Sequence, residues 1–374
     1  MMLLLWASTA FGHGGPPNSE KLLWGESEHA LIVSTHGFIF EDEGWTWVCE
    51  ELFGDSLPTD VVLTPSTILV AGTAGLAHSE DGCAWDWNAQ FEDELIWDLA
   101  VDPTISSRVW LVSDTGLWRS DDAGSTYTNT DFPIPEAKLR SVVPMPNGAV
   151  TVFGFLDGQA TVWQGLGNDW MAAELDVRSG HLLGLGTDSD GNVYGHFPRA
   201  SGTDQLIRID PQLQPSTLLE TERRIGAFLA VDAGLMISVD GEGTWISPDQ
   251  GDSWEWGEAE TYACLIKRDG RIFACPKEGS EFMWVHTDTP ILNTPKDWQM
   301  GPPFSGVSGS RCGEDLPVCE DLWPTVALEL GVDPRDTIEP EPRTVPKEPS
   351  GCGSQAAILF LPCWFMSLFR RRTR

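Results

Sequence analysis

The sequence predicts an all-β fold, a seven-bladed β-propeller of four-stranded blades. Three observations carry this. Gly, Pro, Asp and Asn recur at short intervals through 374 residues, with 38 Gly and 26 Pro, and cut the chain into short strand-like runs. Few stretches show helical periodicity. A turn sentence ending in an aromatic residue is written several times over: Ser-Pro-Asp-Gln-Gly-Asp-Ser-Trp at 247–254 and Ser-Asp-Asp-Ala-Gly-Ser-Thr-Tyr at 120–127.

Looser copies of the turn lie at 40–47, with Asp42 and Trp47, and at 79–85, where Asp81 and Trp85 stand one residue closer than the pattern asks. The carboxylate can accept from backbone N–H groups of its own turn, the Gly supplies a positive φ, and the aromatic buries a large apolar area. Marker aromatics at 47, 85, 127, 170, 254 and 298 are separated by 38, 42, 43, 84 and 44 residues. The gap of 84 spans two periods, with a degenerate marker near Gln212. Seven units of about 42 residues, each with four short strands, match a propeller in which every blade covers its neighbour's apolar face.

Taken in order, the first unit has strands at 22–24, 29–35, 37–40 and 46–49. The second has 60–63, 67–71, 75–78 and 85–87, and the third 96–101, 108–112 and 116–119 before the Asp122 turn. The fourth has 141–143, 149–153 and 161–163, with its turn decayed to 165–169 ahead of Trp170. The fifth has 182–185, 192–194 and 206–209 and has lost the turn motif. The sixth has 227–231, 234–238 and 243–246 and the intact Asp249 turn, and the seventh has 263–266, 271–275 and 282–286 and closes at Trp298. The propeller is thus expected over 19–309.

The formal charge is −33. Such a chain lacks the basic surface through which nucleic acid is bound, and it is not drawn to anionic lipid. An acidic coat keeps a chain with 18 Trp in solution, or offers a face to cations or to a basic partner. Eight cysteines, none in a C-x-x-C pair, point to an oxidising compartment rather than a zinc or thioredoxin-like site.

Both ends read as address labels. Residues 1–12 resemble a short secretory signal peptide, with His13 as the first mature residue. At the other end, Gly-Cys-Gly with Cys352 is followed by an apolar run and then Arg370, Arg371 and Arg372. This 351–374 segment looks like the C-terminal sorting tag of myxobacterial and related surface proteins, the MYXO-CTERM type, which is processed near its Cys. A plain membrane anchor reaches the same compartment. Between head and tag, residues 331–350 are rich in Pro and Glu and form an extended spacer.

The turns at Asp42, Asp81, Asp122 and Asp249, with their aromatics Trp47, Trp85, Tyr127 and Trp254, resemble Asp-box (BNR) repeats. These occur in sialidases, sortilin-like receptors, xyloglucanases and the photosystem II assembly-factor family. The resemblance covers roughly 20–305 and implies that the box lies on the outer part of each blade, with structural Asp and Trp. A sialidase would also carry an arginine triad and a Tyr–Glu pair at the axis. Only Tyr194 and Tyr262 remain for that role, and no arginines cluster at matching strand starts. No G-x-S-x-G, H-E-x-x-H or phosphate-loop motif is present. No catalytic residue, cofactor or metal ligand is nominated.

Cys49 ends the first blade and Cys83 lies in the turn of the second, so adjacency of blades pairs them. Cys264 and Cys275 face each other across a hairpin turning at Asp269 and Gly270, and Cys312 and Cys319 enclose a small loop. Free buried thiols are the alternative. Within 310–330, residues 321–330 suit a short helix covering the last blade. The expected function is an exported, surface-anchored, monomeric binding or scaffolding module for a protein or glycan, touching membrane only through its tail. A glycoside hydrolase or lyase on the same fold, and an assembly factor for an envelope complex, are the alternatives.

Overall fold

The computed structural model describes residues 17–25, 29–41, 44–54, 56–167, 169–176, 182–198, 203–231, 234–277, 280–288, 298–312 and 316–333. Asp42, the leader, most of the spacer and the segment with Cys352 lie outside the described residues.

Seven antiparallel sheets follow one another along the chain, each built from four consecutive strands. The innermost strands are Ser19–Trp24, Pro58–Leu63, Ile96–Val101, Lys138–Pro144, Leu183–Thr187, Ile225–Val231 and Tyr262–Arg268. Each packs on the next, and the last packs on the first, so the ring closes. Interior strands such as Ile68–Gly72 and Val109–Ser113 are buried at every position because a blade is covered on both faces. Blade 5, which lacks the turn motif, still completes its sheet with Pro215–Thr221.

Closure does not exchange a strand between the first and last blades. A further strand, Val307–Ser310, adds in parallel to the outer strand Trp45–Val48 of blade 1. It covers an edge that would otherwise present unpaired backbone groups. Arg311 N then donates to Trp47 O (2.8 Å) and Arg311 Nε to Asp81 O (2.8 Å), carrying the chain across blades 1 and 2.

This path overturns two of the three expected cysteine pairs. Cys264 and Cys275 are bridged, but Cys49 bonds Cys319 and Cys83 bonds Cys312. The expectation placed Cys49 and Cys83 together because their blades adjoin. In the fold, the returning segment lies over both blades and presents one thiol to each. The helix is also relocated. It is α1 (Pro317–Glu329), longer than expected, and it packs on blade 1 rather than the last blade. Its Trp323 ring lies 5.8 Å from that of Trp47, within a core shared with Phe53 and Val326.

The turn motifs join third and fourth strands. In blade 6, Asp249 Oδ1 accepts from Ser253 N (2.8 Å) and Oδ2 from Ser253 Oγ (2.5 Å). In blade 3, Asp122 makes the same pair of bonds with Thr126 (2.9 and 2.6 Å). The shorter turn of blade 2 has Asp81 accepting from Cys83 N and Ala84 N (2.8 and 2.9 Å). Bonds from Ala84 and Cys83 hold Asp81 below the ordinary carboxylate range, and the Ser253 hydroxyl and N–H do the same for Asp249.

The buried member of the motif is its first Ser. Ser247 Oγ accepts from Gly251 N (2.7 Å) and donates to Asp249 Oδ1 (2.9 Å) with the residue fully buried. Ser120 does likewise toward Gly124 and Asp122. Each turn glycine abuts the preceding blade. A Cβ on Gly124 would lie 2.6 Å from Leu69, and one on Gly251 2.6 Å from Leu218. The turn is therefore also a spacer between blades. Replacing Ser247 with Ala strands the Gly251 N–H in a buried turn, at a cost of about 1–3 kcal/mol. Urea unfolding checks this through a lower midpoint at unchanged slope; an unchanged midpoint contradicts it.

Candidate functional site at the axial mouth

Every innermost strand carries a one-residue β-bulge near its start. The bulged residues are Glu20, Thr59, Trp97, Arg140, Leu185, Gly226 and Ala263. A bulge bends its strand and re-aims a side chain, as strands converging on an axis require. All of these residues but Arg140 line two axial cavities, of about 520 and 790 Å³. Arg140 instead stacks on the Trp97 ring, its Cζ 3.9 Å from the centroid. Trp97 Nε1 donates to Asp114 Oδ1 (2.8 Å), which fixes the ring.

In blades 1 to 4 the residue after the bulge helps to stitch blades together, and in blades 5 and 6 other side chains do so. Lys21 Nζ donates to Asp60 Oδ1 (2.6 Å) and to Val61 O (2.8 Å). Asp60 Oδ2 accepts from Leu99 N in blade 3 (3.1 Å). Asp98 Oδ2 accepts from Ser141 Oγ (2.6 Å) and Val142 N (2.8 Å) in blade 4. Ser141 Oγ in turn accepts from Gly184 N in blade 5 (2.9 Å). Farther round, Asp204 Oδ2 accepts from Ile225 N (3.0 Å) and Ser238 Oγ from Tyr262 N (2.6 Å). Buried backbone donors at these seams are thereby satisfied.

Two features have chemical potential. Burial, reinforced by the Asp60 charge, pushes Asp98 up to about 8 against the pull of Ser141, Val142 and Lys21. Below that value it holds a proton beside the cavity. In blade 5, buried His196 places Nδ1 2.8 Å from Asp204 Oδ2. Asp204 orients the ring, and His196 also lines the cavity. Among the described residues no group of three His, Cys, Asp or Glu is arranged to hold a metal ion.

The sequence-nominated residues lie elsewhere. Asp81, Asp122 and Asp249 sit in turns on the outer part of their blades, and their aromatics pack between sheets. Sequence reading took Trp97, Asp98 and Ser141 as ordinary strand residues and placed His196 in no strand. A signal was present: Asp60, Asp98 and Ser141 recur at the same phase, 38 and 43 residues apart, close to the blade period.

A carboxyl whose folded value lies above its unfolded one contributes most stability at low pH and loses it as pH rises through the folded value. For Asp98 that window runs from its ordinary 3.8 to about 8. Asn at position 98 keeps an acceptor for Ser141 and Val142 without the charge. Asp98→Asn is expected to gain stability over the native protein progressively across that window, with the largest gain in Tm at its alkaline end. Calorimetry at acid, neutral and alkaline pH checks this; a pH-independent difference contradicts it.

No protein-family model matches the chain, and neither does a curated protein. Solved structures do. YCF48 bound to a D1 peptide aligns at 15% identity over 75% of this chain and 96% of that one, with a TM-score of 0.51. The extracellular domain of the hybrid two-component system BT4673 of B. thetaiotaomicron aligns at 11% identity and TM-score 0.54, over 71% of this chain and 37% of its own. A catalytically inactive virginiamycin B lyase from Staphylococcus aureus with quinupristin aligns at 8% identity and TM-score 0.53, over 71% and 94%. At these identities the likeness establishes the propeller fold.

Proposed function

We propose that this protein is an exported Asp-box propeller, held at the cell surface through its C-terminal segment, that binds or scaffolds a polypeptide at its axial mouth. One observation carries the reading: the bulged inner ring. It turns a varied set of side chains, from Glu20 and Thr59 to Trp97 and Leu185, toward the axial cavities, with Arg140 stacked on the Trp97 ring. Propellers of this architecture gather ligands at such convergent mouths. The motif acids Asp81, Asp122 and Asp249 are meanwhile committed to their own turns. The YCF48 likeness, recorded with a peptide, supports a polypeptide ligand. Assembly of an envelope complex is one form of the same role. Three disulfides, the signal-like leader and the Cys352 segment support export.

A second reading, a hydrolase or lyase acting in the same channel, is favoured by the protonated Asp98 facing a cavity that His196 also lines, its ring held from behind by Asp204. The two readings part in one experiment. Purified protein is crosslinked to cell-envelope extract and also incubated with polysaccharides and cyclic peptides. The binding reading expects a defined polypeptide partner, whose capture falls at least tenfold in a Trp97→Ala, Arg140→Ala variant, the rough scale of losing an interfacial aromatic–Arg anchor. Turnover that disappears in Asp98→Asn would replace it with the enzymatic one.

A further inference from the structure

A separate pocket lies between blades 3 and 4, at the opposite end of the strands from the bulges. It encloses about 270 Å³, and Arg108, Arg119, Trp110, Asn129, Gly167 and Trp170 are among its lining residues. Successive strands place it where second strands begin and third strands end, so it is separate from the axial mouth.

Its chemistry runs against that of the whole molecule. In a chain of charge −33, two guanidinium groups share one wall. Both are tethered by Asp121, which accepts from Arg108 Nε (2.6 Å) and Arg119 Nε (3.1 Å). Arg119 Nη2 also lies 2.9 Å from Asp121, and Arg108 Nη1 lies 3.8 Å from Asp102. Among the described residues, Arg108 Nη2 and Arg119 Nη1 make no hydrogen bond, and the Arg119 guanidinium lies over the Trp110 ring, its Cζ 5.9 Å from the centroid. Trp110 is 7% exposed and its Nε1 is buried without a hydrogen bond. Asn129 Oδ1 accepts from Asp131 N (2.8 Å), which leaves its amide N–H groups unengaged among the described residues. A buried, unpaired indole N–H is costly unless something takes it up.

The floor is shaped for a flat body. Trp170 lies directly on Gly165, where an added Cβ would come within 2.3 Å of the ring. Gly167 keeps the rim open, with nothing within 4 Å of where a Cβ would stand.

From these features we infer that the pocket between blades 3 and 4 is a binding site for a sugar acid of monosaccharide size. The free guanidinium N–H groups take the carboxylate, for which arginine's fork is suited. The Trp170 indole covers the C–H face of the ring, and the Asn129 amide donates to hydroxyl groups. The volume lies just below that of drug-sized ligand pockets, which suits one sugar unit. Asp121 occupies the arginines in the empty state and competes with the incoming carboxylate.

That last feature makes the inference testable. Glucuronate and glucose serve as probes, titrated into the full protein by calorimetry and followed by tryptophan fluorescence. Glucuronate is expected to bind saturably and quench fluorescence, with glucose at least about tenfold weaker, the scale of losing one charge-assisted contact. Arg119→Gln should weaken glucuronate about tenfold. Asp121→Asn should tighten it by a similar factor, because it removes the resident anion while keeping both arginines. A purely structural role for the arginines predicts no such gain. Absence of saturable glucuronate binding to both the native protein and Asp121→Asn overturns the inference, as does equal affinity for glucose. If Arg119→Gln fails to fold, the Asp121→Asn arm decides.

Discussion

The fold depends on one seam. A propeller of consecutive blades has six junctions that the chain makes in passing and a seventh where its beginning meets its end. The six are stitched by side chain–backbone hydrogen bonds between neighbouring blades, from Lys21 with Val61 through to Ser238 with Tyr262. At the seventh, aromatic contacts take that place among the described residues. Trp24 meets Phe273 at 4.6 Å, Trp45 meets Trp284 at 5.1 Å, and Arg268 lies over Trp24 at 5.1 Å. Sharing a strand would tie such a seam covalently. Here a clasp does so: a parallel strand on blade 1, α1 over its core, and disulfides closing loops of 270 and 229 residues. A cross-link of that span restricts the unfolded chain most, by about 5 kcal/mol for the first of these nested loops on the chain-entropy view, with the second adding less. His36 beside Glu329 (3.2 Å) adds a polar contact between blade 1 and the helix.

The axial mouth follows from the same geometry. Strands converging on an axis need a bulge, and in blades 1 to 4 the residue after it, Lys21, Asp60, Asp98 or Ser141, bonds the neighbouring blade. One device therefore builds the seam and the site. Asp98 shows the consequence: its carboxyl is recruited to hold Ser141 and Val142, and the burial and the Asp60 neighbour that come with this role keep it protonated near neutrality. Stability and chemistry are not separable at that residue. The pocket between blades 3 and 4 has a different origin, since Asp121 is the variable second position of the blade 3 turn sentence.

The blade count was legible because it rests on a ruler, the marker aromatics, whose spacing survives even where the turn decays at Gly165 and vanishes in blade 5. Strand content was legible because the middle strands are buried on both faces and read as apolar runs. The cysteine pairing was not, because it depends on where the chain returns after the last blade, and nothing in the order of Cys49, Cys83, Cys312 and Cys319 encodes a return over blades 1 and 2. The site was hidden for a related reason. Period-two reading assigns Trp97 and Asp98 to opposite faces of one strand, and the bulge between them breaks that alternation. Ser247 was overlooked beside Asp249 because a small hydroxyl looks like surface punctuation until its burial is known.

If the clasp holds the seventh seam, loosening it should open the ring there first. Hydrogen exchange on a variant with Cys49, Cys83, Cys312 and Cys319 replaced by Ser, the Cys264–Cys275 bridge kept, measures this directly. Amides of Ser19–Trp24 and Tyr262–Arg268 should lose protection well before those of Ile96–Val101 and Lys138–Pro144. Protection lost evenly around the ring, or unchanged at the seam, would contradict the account.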